Sequence, residues 1–442
     1  MSLGLALSGG GSRAAGFHAG TLKGLEEVGL LDGVDSVSAV SGGSLFGAAW
    51  VISKKNGTGL DAFLAIMANE LAKGFVGRSL MSWNLLRVPF PGYDRTDLFA
   101  DAFDRIFFNG AKLSSLPEKP ALCLNTTVLN TGQVGKFTRE GFETSGRYKY
   151  FKKPLPLEFV PQLASFPLSL AVIASAAFPI GLKPVSLRRG KELPADWGKD
   201  TEVESLDSIQ LTDGGVLENL GVQTLLDSPR LARWDLIVSD AGTAENLWKP
   251  TLGERMTAGL MWAVSNETLK GISVLMNNKN DRHTRHEVLA ALEESWLGGA
   301  VAEGKAADEA MKALLAEMFE GAPRPLRRRK LLMVRVDQSW EDLFACIAPW
   351  RLVEFGAKPA DAQKWSKQRD ARAIEAFLEG AGVKLQEAKA IYDDPQGFGG
   401  RKGVERANAV TTNFTALSSD DLAALFAHAR WQVHALKAVY WA

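Results

Sequence analysis

Cysteine is nearly absent: Cys123 and Cys346 are the only two in 442 residues, and they lie far apart in apolar contexts (ALCLN, LFACIA). That leaves no disulfide framework and no Cys-based metal cluster, and reads as two buried thiols suited to a reducing compartment. Histidine is scarce too, limited to His18, His283, His286, His428 and His434. Neither sign of charge is in excess, since 51 basic residues balance 51 acidic ones. No global field therefore draws the protein to nucleic acid, and no nucleic-acid partner is expected. No secretory signal is expected either. Met1 runs at once into LGLALSGGG, with no basic region and an apolar stretch too short to be a signal core. One uncharged run, residues 159–182, has the length of a membrane span. It contains Pro161, Pro167, Pro179 and Gln162, which are costly in lipid, so it is predicted to be a buried helix with proline-marked ends. The expected location is cytoplasmic, with peripheral contact at a membrane left open.

What is present is an ordinary globular composition, 46% apolar and 23% charged, in a chain long enough for one large α/β domain with additions. LGLALS at 3–8 reads as a buried strand that enters Gly9-Gly10-Gly11. Apolar and small residues then recur at helical spacing (Ala15, Leu22, Leu25, Val28). GVDSVSAV reads as a second strand ending at Ser41, and GGSLFGAAWVISKK as the next helix. This β-α-β-α opening predicts a parallel sheet with helices on its faces. KPALCLNTTVLNTGQVGKFT, SIQLTD, WDLIVSDAG and KLLMVRVD have strand character, whereas LSLAVIASAAFP has that of a helix of small residues. Beyond residue 246 the pattern is mostly helical, with one stripe on Ala307, Ala310, Met311, Leu314 and Met318. A last helix starts at Ser418, with Asp421 three residues on and Leu422, Leu425, Phe426 and Ala429 facing inward. The division expected is a core over 1–245 and a mostly helical extension over 246–442 packed on the same domain.

Three stretches could carry chemistry. In SVSAVSGGS, Ser41 follows a strand and precedes two glycines, as a nucleophile on a sharp strand-to-helix turn would. The usual turn is G-x-S-x-G, and here Ala39 replaces the first glycine. In SGGGSR, successive glycines leave backbone N–H groups free to converge on an anion at a helix N-terminus. That anion could be a tetrahedral oxyanion or a nucleotide phosphate, since Gly9, Gly11 and Ala14 also fit the permissive dinucleotide fingerprint. Against the nucleotide, no acid closes the second strand, and no Lys-Ser/Thr follows the glycines. In LTDGGVLENLG, Asp213 ends an apolar strand before a glycine turn, where it could act as a base or merely begin a β-turn. His283 and His286 keep a Ser-Asp-His triad open, while His18, inside the first helix, reads as structural.

Taken together, GGGSR, the serine elbow about thirty residues later, ASAAFP and DGGVLENLG resemble the patatin-like phospholipases. The VSGGS elbow is most similar to the cytosolic phospholipase A2 branch. The resemblance covers roughly residues 3–240, with a weaker echo near 410–440. It implies a three-layer α/β/α fold with a mostly parallel central sheet and additional C-terminal helices. It also implies a lipid acyl hydrolase with Ser41 as nucleophile and Asp213 as base. Gly9, Gly10, Gly11 and Gly42 would form the oxyanion hole, and Arg13 would be the motif's anion-stabilising arginine. No metal or cofactor is then required. Residues 75–93, rich in large apolar groups, would be a lid or acyl-chain contact through Trp83, Leu85, Leu86 and Phe90. The expected partners are a phospholipid or other lipid ester and a membrane surface. A non-catalytic lipid-binding or scaffold protein of the same fold is the alternative.

Overall fold

The computed structural model describes residues 2–75, 79, 83–87, 93–145, 159–179, 181–199, 204–226, 235–242, 330–394, 398–412 and 414–441. In chain order the first elements are β1 (Leu3–Leu7), α1 (Gly11–Glu27), β2 (Val34–Val40), α2 (Gly42–Lys55), α3 (Leu60–Lys73) and α4 (Arg95–Phe103). Then come β3 (Ala121–Val128), β4 (Gln133–Thr138), β5 (Gly141–Ser145), β6 (Phe159–Val160), α5 (Leu168–Ser175), β7 (Val185–Arg188), β8 (Ser208–Asp213), α6 (Val222–Leu226) and β9 (Asp235–Asp240). The C-terminal part adds β10 (Leu331–Arg335), α7 (Trp340–Ala345), α8 (Pro349–Glu354), α9 (Pro359–Gln368), α10 (Ala371–Gly380), α11 (Gln386–Tyr392), α12 (Gly400–Ala409) and α13 (Ser419–Tyr440). The stripe over 307–318 lies outside the described residues, as do His283 and His286.

The sheet is mixed. Its order is β10-β9-β1-β2-β3-β4-β5-β6, with β7 and β8 off this path. The run from β10 to β3 is parallel, and every pairing from β3 onward to β4, β5, β6 and β8 is antiparallel. Period-two alternation sorts the parallel strands onto two faces. Leu5, Leu7, Ile237, Leu332 and Val334 join the main core with α1, α2, α5 and α13. Ala6, Leu236, Val238 and Met333 face the other way, against Leu220, Val222 and Leu225 at α6. Helices thus cover both faces, which gives the three-layer α/β/α fold.

The uncharged run 159–182 is not one helix. It breaks into β6, a 3₁₀ turn (Pro161–Ser165) and the eight-residue α5 with Pro167 at its N-cap. No helix among the described residues is long and apolar enough to cross a membrane. The cysteines also differ from expectation: Cys123 is half-buried and Cys346 exposed. At Cys346 the helix α7 has ended and the chain turns outward, so its apolar neighbours are buried without it.

Helix α13 begins as expected, with the Ser418 hydroxyl accepting from the Asp421 N–H at 3.1 Å, a cap that satisfies one orphan donor of the first turn. It lies against α1 along Gly16, Gly20 and Gly24. A Cβ on Gly20 would stand 2.2 Å from the Phe426 carbonyl oxygen, and one on Gly24 would stand 2.9 Å from Val433 Cβ. The two backbones are therefore closer than any side chain permits. Gly20→Ala is expected to lower stability by about 1–3 kcal/mol through overpacking, despite alanine's better helix propensity. Gly380→Ala, at a position where a Cβ meets nothing within 4 Å, should be neutral or slightly stabilising. Thermal melts of the two variants check this, and equal melting temperatures would contradict the close approach.

Candidate active site

The site is built where two strands meet end to end. One edge of β3 is occupied first by β2, parallel, up to the pair Val40–Asn125. The same edge is then occupied by β8, antiparallel, from Val128–Leu211 to Thr126–Asp213. The carboxyl ends of β2 and β8 thus abut at Asn125 and Thr126, with β4 along the opposite edge. Ser41 leaves the sheet at that junction and Asp213 arrives at it. Their side chains meet, and Ser41 Oγ donates to Asp213 Oδ2 at 2.7 Å.

Ser41 sits at φ 52°, ψ −120°, a strained left-handed position for a non-glycine residue, as a nucleophile elbow requires. The turn is tight because helix and strand approach closely. A Cβ on Gly42 would stand 2.3 Å from the Gly11 carbonyl oxygen, and one on Gly43 would stand 2.4 Å from the Leu7 oxygen. Ala39, where glycine is usual, is fully buried beside Gly47, and even a Cβ built on Gly47 would lie 3.5 Å from its methyl, an ordinary contact. Ser41 retains only 8% exposure and Asp213 2%.

Burial lifts the Asp213 carboxyl to about 6, opposed by the hydrogen bonds from Ser41 and from the Gly215 N–H. The Gly215 bond to Oδ1 is 2.7 Å, so one carboxylate oxygen is held by the backbone while the other addresses the serine. A carboxylate with its proton affinity near neutrality, bonded to a hydroxyl, can accept that hydroxyl's proton.

The glycine loop lies beside this pair. Gly10 (φ 145°) and Gly11 (φ 59°) adopt backbone conformations that side chains disfavour, and α1 begins at Gly11 as α2 begins at Gly42. Two helix N-termini converge next to Ser41, and their first-turn N–H groups have no intrahelical acceptor. Gly10, Gly11 and Gly42 make no N–H hydrogen bond to the described residues. Gly9 differs, because its N–H donates to the Asn219 carbonyl at 2.9 Å. A Cβ on Gly9 would stand 2.2 Å from Asn219 Oδ1 and 3.1 Å from Ser41 Cβ, so glycine there provides clearance for Asn219 and for Ser41.

Arg13 is buried behind the loop. Its Nε donates to the Ala241 carbonyl at 2.8 Å and its Nη1 to the Val410 carbonyl at 2.9 Å. Burial lowers its pKa to about 10, against the attraction of Asp240 and Asp337, which leaves it charged at neutral pH. Two backbone carbonyls thus engage a guanidinium that the sequence placed as an anion ligand. His18 is also buried. Its Nε2 donates to the Ser8 carbonyl at 2.9 Å, so Nδ1 accepts from Ser239 Oγ at 2.8 Å. Burial lowers its pKa to about 4, and it is a neutral packing residue.

Of the segment 75–93, Phe75 is fully buried and packs edge-on to Phe103. Leu86, in a 3₁₀ turn (Trp83–Arg87), is 64% exposed. The side chains of Trp83 and Leu85, and all of Phe90, lie outside the described residues. Sequence reasoning gave no role to Ser175, whose hydroxyl accepts the Ser41 N–H at 3.0 Å. Its only signal was its place in ASAAFP.

A family model described as Patatin-like phospholipase matches residues 5–226, half of the chain. No curated protein sequence matches. Among solved structures, human GIVD cytosolic phospholipase A2 in complex with methyl gamma-linolenyl fluorophosphonate is 16% identical, with 99% of this chain and 57% of that chain covered and a TM-score of 0.43. VipD from Legionella pneumophila is 12% identical, covering 98% and 91%, at a TM-score of 0.27. The ExoU–SpcU complex of Pseudomonas aeruginosa is 16% identical, covering 96% and 88%, at 0.26. The chain spans about half the length of the human structures it matches.

Proposed function

The chain belongs to the patatin-like phospholipase family, and from that premise we propose that it is a lipid acyl hydrolase, a phospholipase A-type esterase working through a Ser41–Asp213 dyad. The observation that carries the reading is the 2.7 Å hydrogen bond from the strained Ser41 hydroxyl to a buried carboxyl raised to about 6. Ser41 Oγ attacks the acyl carbonyl carbon while its proton passes to Asp213 Oδ2. The tetrahedral oxyanion is stabilised by the N–H groups of Gly10, Gly11 and Gly42, aided by two helix N-termini. Collapse expels the alcohol, which takes the proton from Asp213. Water then gives a proton to Asp213 and attacks the acyl carbonyl, and collapse releases the fatty acid while the departing Ser41 Oγ takes that proton back from Asp213. No histidine is needed in this sequence of steps.

Gly9 serves here as clearance rather than as a donor, and Arg13 adds positive charge behind the loop while bracing it. Residues 75–93 are the proposed lid or acyl-chain contact, with the exposed Leu86 favouring a lipid-facing role. Membrane contact is peripheral in this reading. The core over 1–245 carries the dyad, and the extension over 246–442 supports it by adding β10 to the sheet and laying α13 on α1.

Turnover of p-nitrophenyl acyl esters and of phosphatidylcholine vesicles by the purified chain is the test. Hydrolysis of both supports an acyl hydrolase. Vesicle binding without turnover of either substrate would favour the lipid-binding scaffold instead.

A further inference from the structure

We infer that Ser175, on α5, is a positioning residue that holds the elbow in its reactive geometry, with Asn125 and Ser44 completing the clamp. This rests on the dyad reading above.

The Ser175 hydroxyl is a saturated node. A serine hydroxyl has one proton to donate and two lone pairs to accept with. Its proton goes to the Asn125 carbonyl, which can only accept, at 2.5 Å. One lone pair takes the Ser41 N–H at 3.0 Å. Ser44 Oγ lies 2.8 Å away and must therefore be the donor to the second. Ser175 is fully buried and so is Ser44, so water cannot replace any of the three bonds.

Asn125 holds the other side of the turn. Its Nδ2 donates to the Ala39 carbonyl at 2.9 Å and to Ser38 Oγ at 2.8 Å. Its Oδ1 accepts from Thr224 Oγ1 at 2.6 Å, which fixes the orientation of the amide. The clamp thus grips the chain two residues before Ser41, at Ala39, and at Ser41 itself. With Ser44 held on the far side by the same Ser175 hydroxyl, the Ser41 backbone lies between gripped points at φ 52°, a conformation that persists only when its surroundings over-determine it. The same Asn125 is the last β3 residue paired with β2, next to the one paired with Asp213. The clamp therefore references the nucleophile to the strand that also places the base.

Labelling by a fluorophosphonate probe separates positioning from mere folding, because its amplitude counts competent sites and its rate constant reports their geometry. In Ser175→Ala the amplitude should stay near one probe per chain, while the rate constant falls by roughly 10²-fold, as a misplacement of about 1 Å produces. kcat on a p-nitrophenyl ester should fall in parallel, with KM within about twofold, because the clamp touches no substrate. A reduced amplitude with an unchanged rate constant would show a purely structural role and overturn the inference, as would wild-type values of both. Ser44→Ala removes one donor and leaves the bonds to Ser41 and Asn125 in place, and it should slow labelling by less than Ser175→Ala. If Ser175→Ala does not fold, Ser44→Ala carries the test alone, and a wild-type rate constant there overturns the clamp. Full labelling of Ser41→Ala would instead remove the dyad reading and leave the clamp without an object.

Discussion

Ser41→Ala is expected to abolish fluorophosphonate labelling and to lower ester hydrolysis on the order of 10⁴-fold or more, the scale lost when the nucleophile of a coupled catalytic unit is removed. In the proposed mechanism the acyl bond forms on the Ser41 hydroxyl. Its loss leaves the glycine loop, the two helix N-termini and Asp213 in place. The fold should survive, because alanine occupies the same backbone conformation at similar strain, and the bond from the Ser41 N–H to Ser175 is made by the backbone. The variant should therefore melt near the wild type while losing activity. Full activity in a correctly folded Ser41→Ala would sink the assignment.

Asp213→Asn should separate function from stability in opposite directions. The amide keeps the acceptor for the Gly215 N–H and the shape of the carboxylate, but it cannot take a proton. A loss of roughly 10²–10⁴-fold in kcat is expected, the range for removal of a general base. In the wild type, kcat/KM should rise with pH through about 6, where the Asp213 carboxyl ionises, and this limb should vanish in the variant.

The effect on stability follows from the same ionisation. Below pH 3.8 the carboxyl is protonated whether the chain is folded or not. Between 3.8 and about 6 the unfolded chain ionises while the native state holds its proton, so the unfolded state binds fewer protons and native stability falls across that window. The deficit remains above pH 6 and amounts to about 3 kcal/mol at roughly 1.4 kcal/mol per unit. Asparagine does not carry it. Asp213→Asn is thus expected to melt higher than the wild type at pH 8 and at the same temperature below pH 4. A variant that is both inactive and less stable at pH 8 would make Asp213 a structural acceptor rather than a base held at a cost.

Much of the site was legible because its determinants are local. A strand, a serine and two glycines specify a tight turn, and Gly10 and Gly11 announce backbone that side chains cannot follow. The Asp-Gly-Gly of Asp213 marks a strand end in the same way. Other features were not legible because they depend on contacts distant in sequence. Ser175 lies 134 positions from Ser41, and nothing in ASAAFP says which backbone its hydroxyl will meet. The resemblance makes Arg13 an anion-stabilising arginine, and nothing local in the sequence says that Ala241 and Val410 will accept from its Nε and Nη1. The run 159–182 looks like one helix because hydropathy does not register where prolines redirect the chain.

The sequence by itself determined the order of strands and helices at the N-terminus, the serine on its turn and the acid before its glycines, since periodicity and backbone permissiveness act over a few residues. Only the tertiary structure decided that β2 and β8 meet head to head along one edge of β3. That junction sets the 2.7 Å between Ser41 and Asp213, and the burial it imposes raises the carboxyl to about 6. Register and desolvation are properties of the assembled sheet, and no local pattern in the chain encodes them.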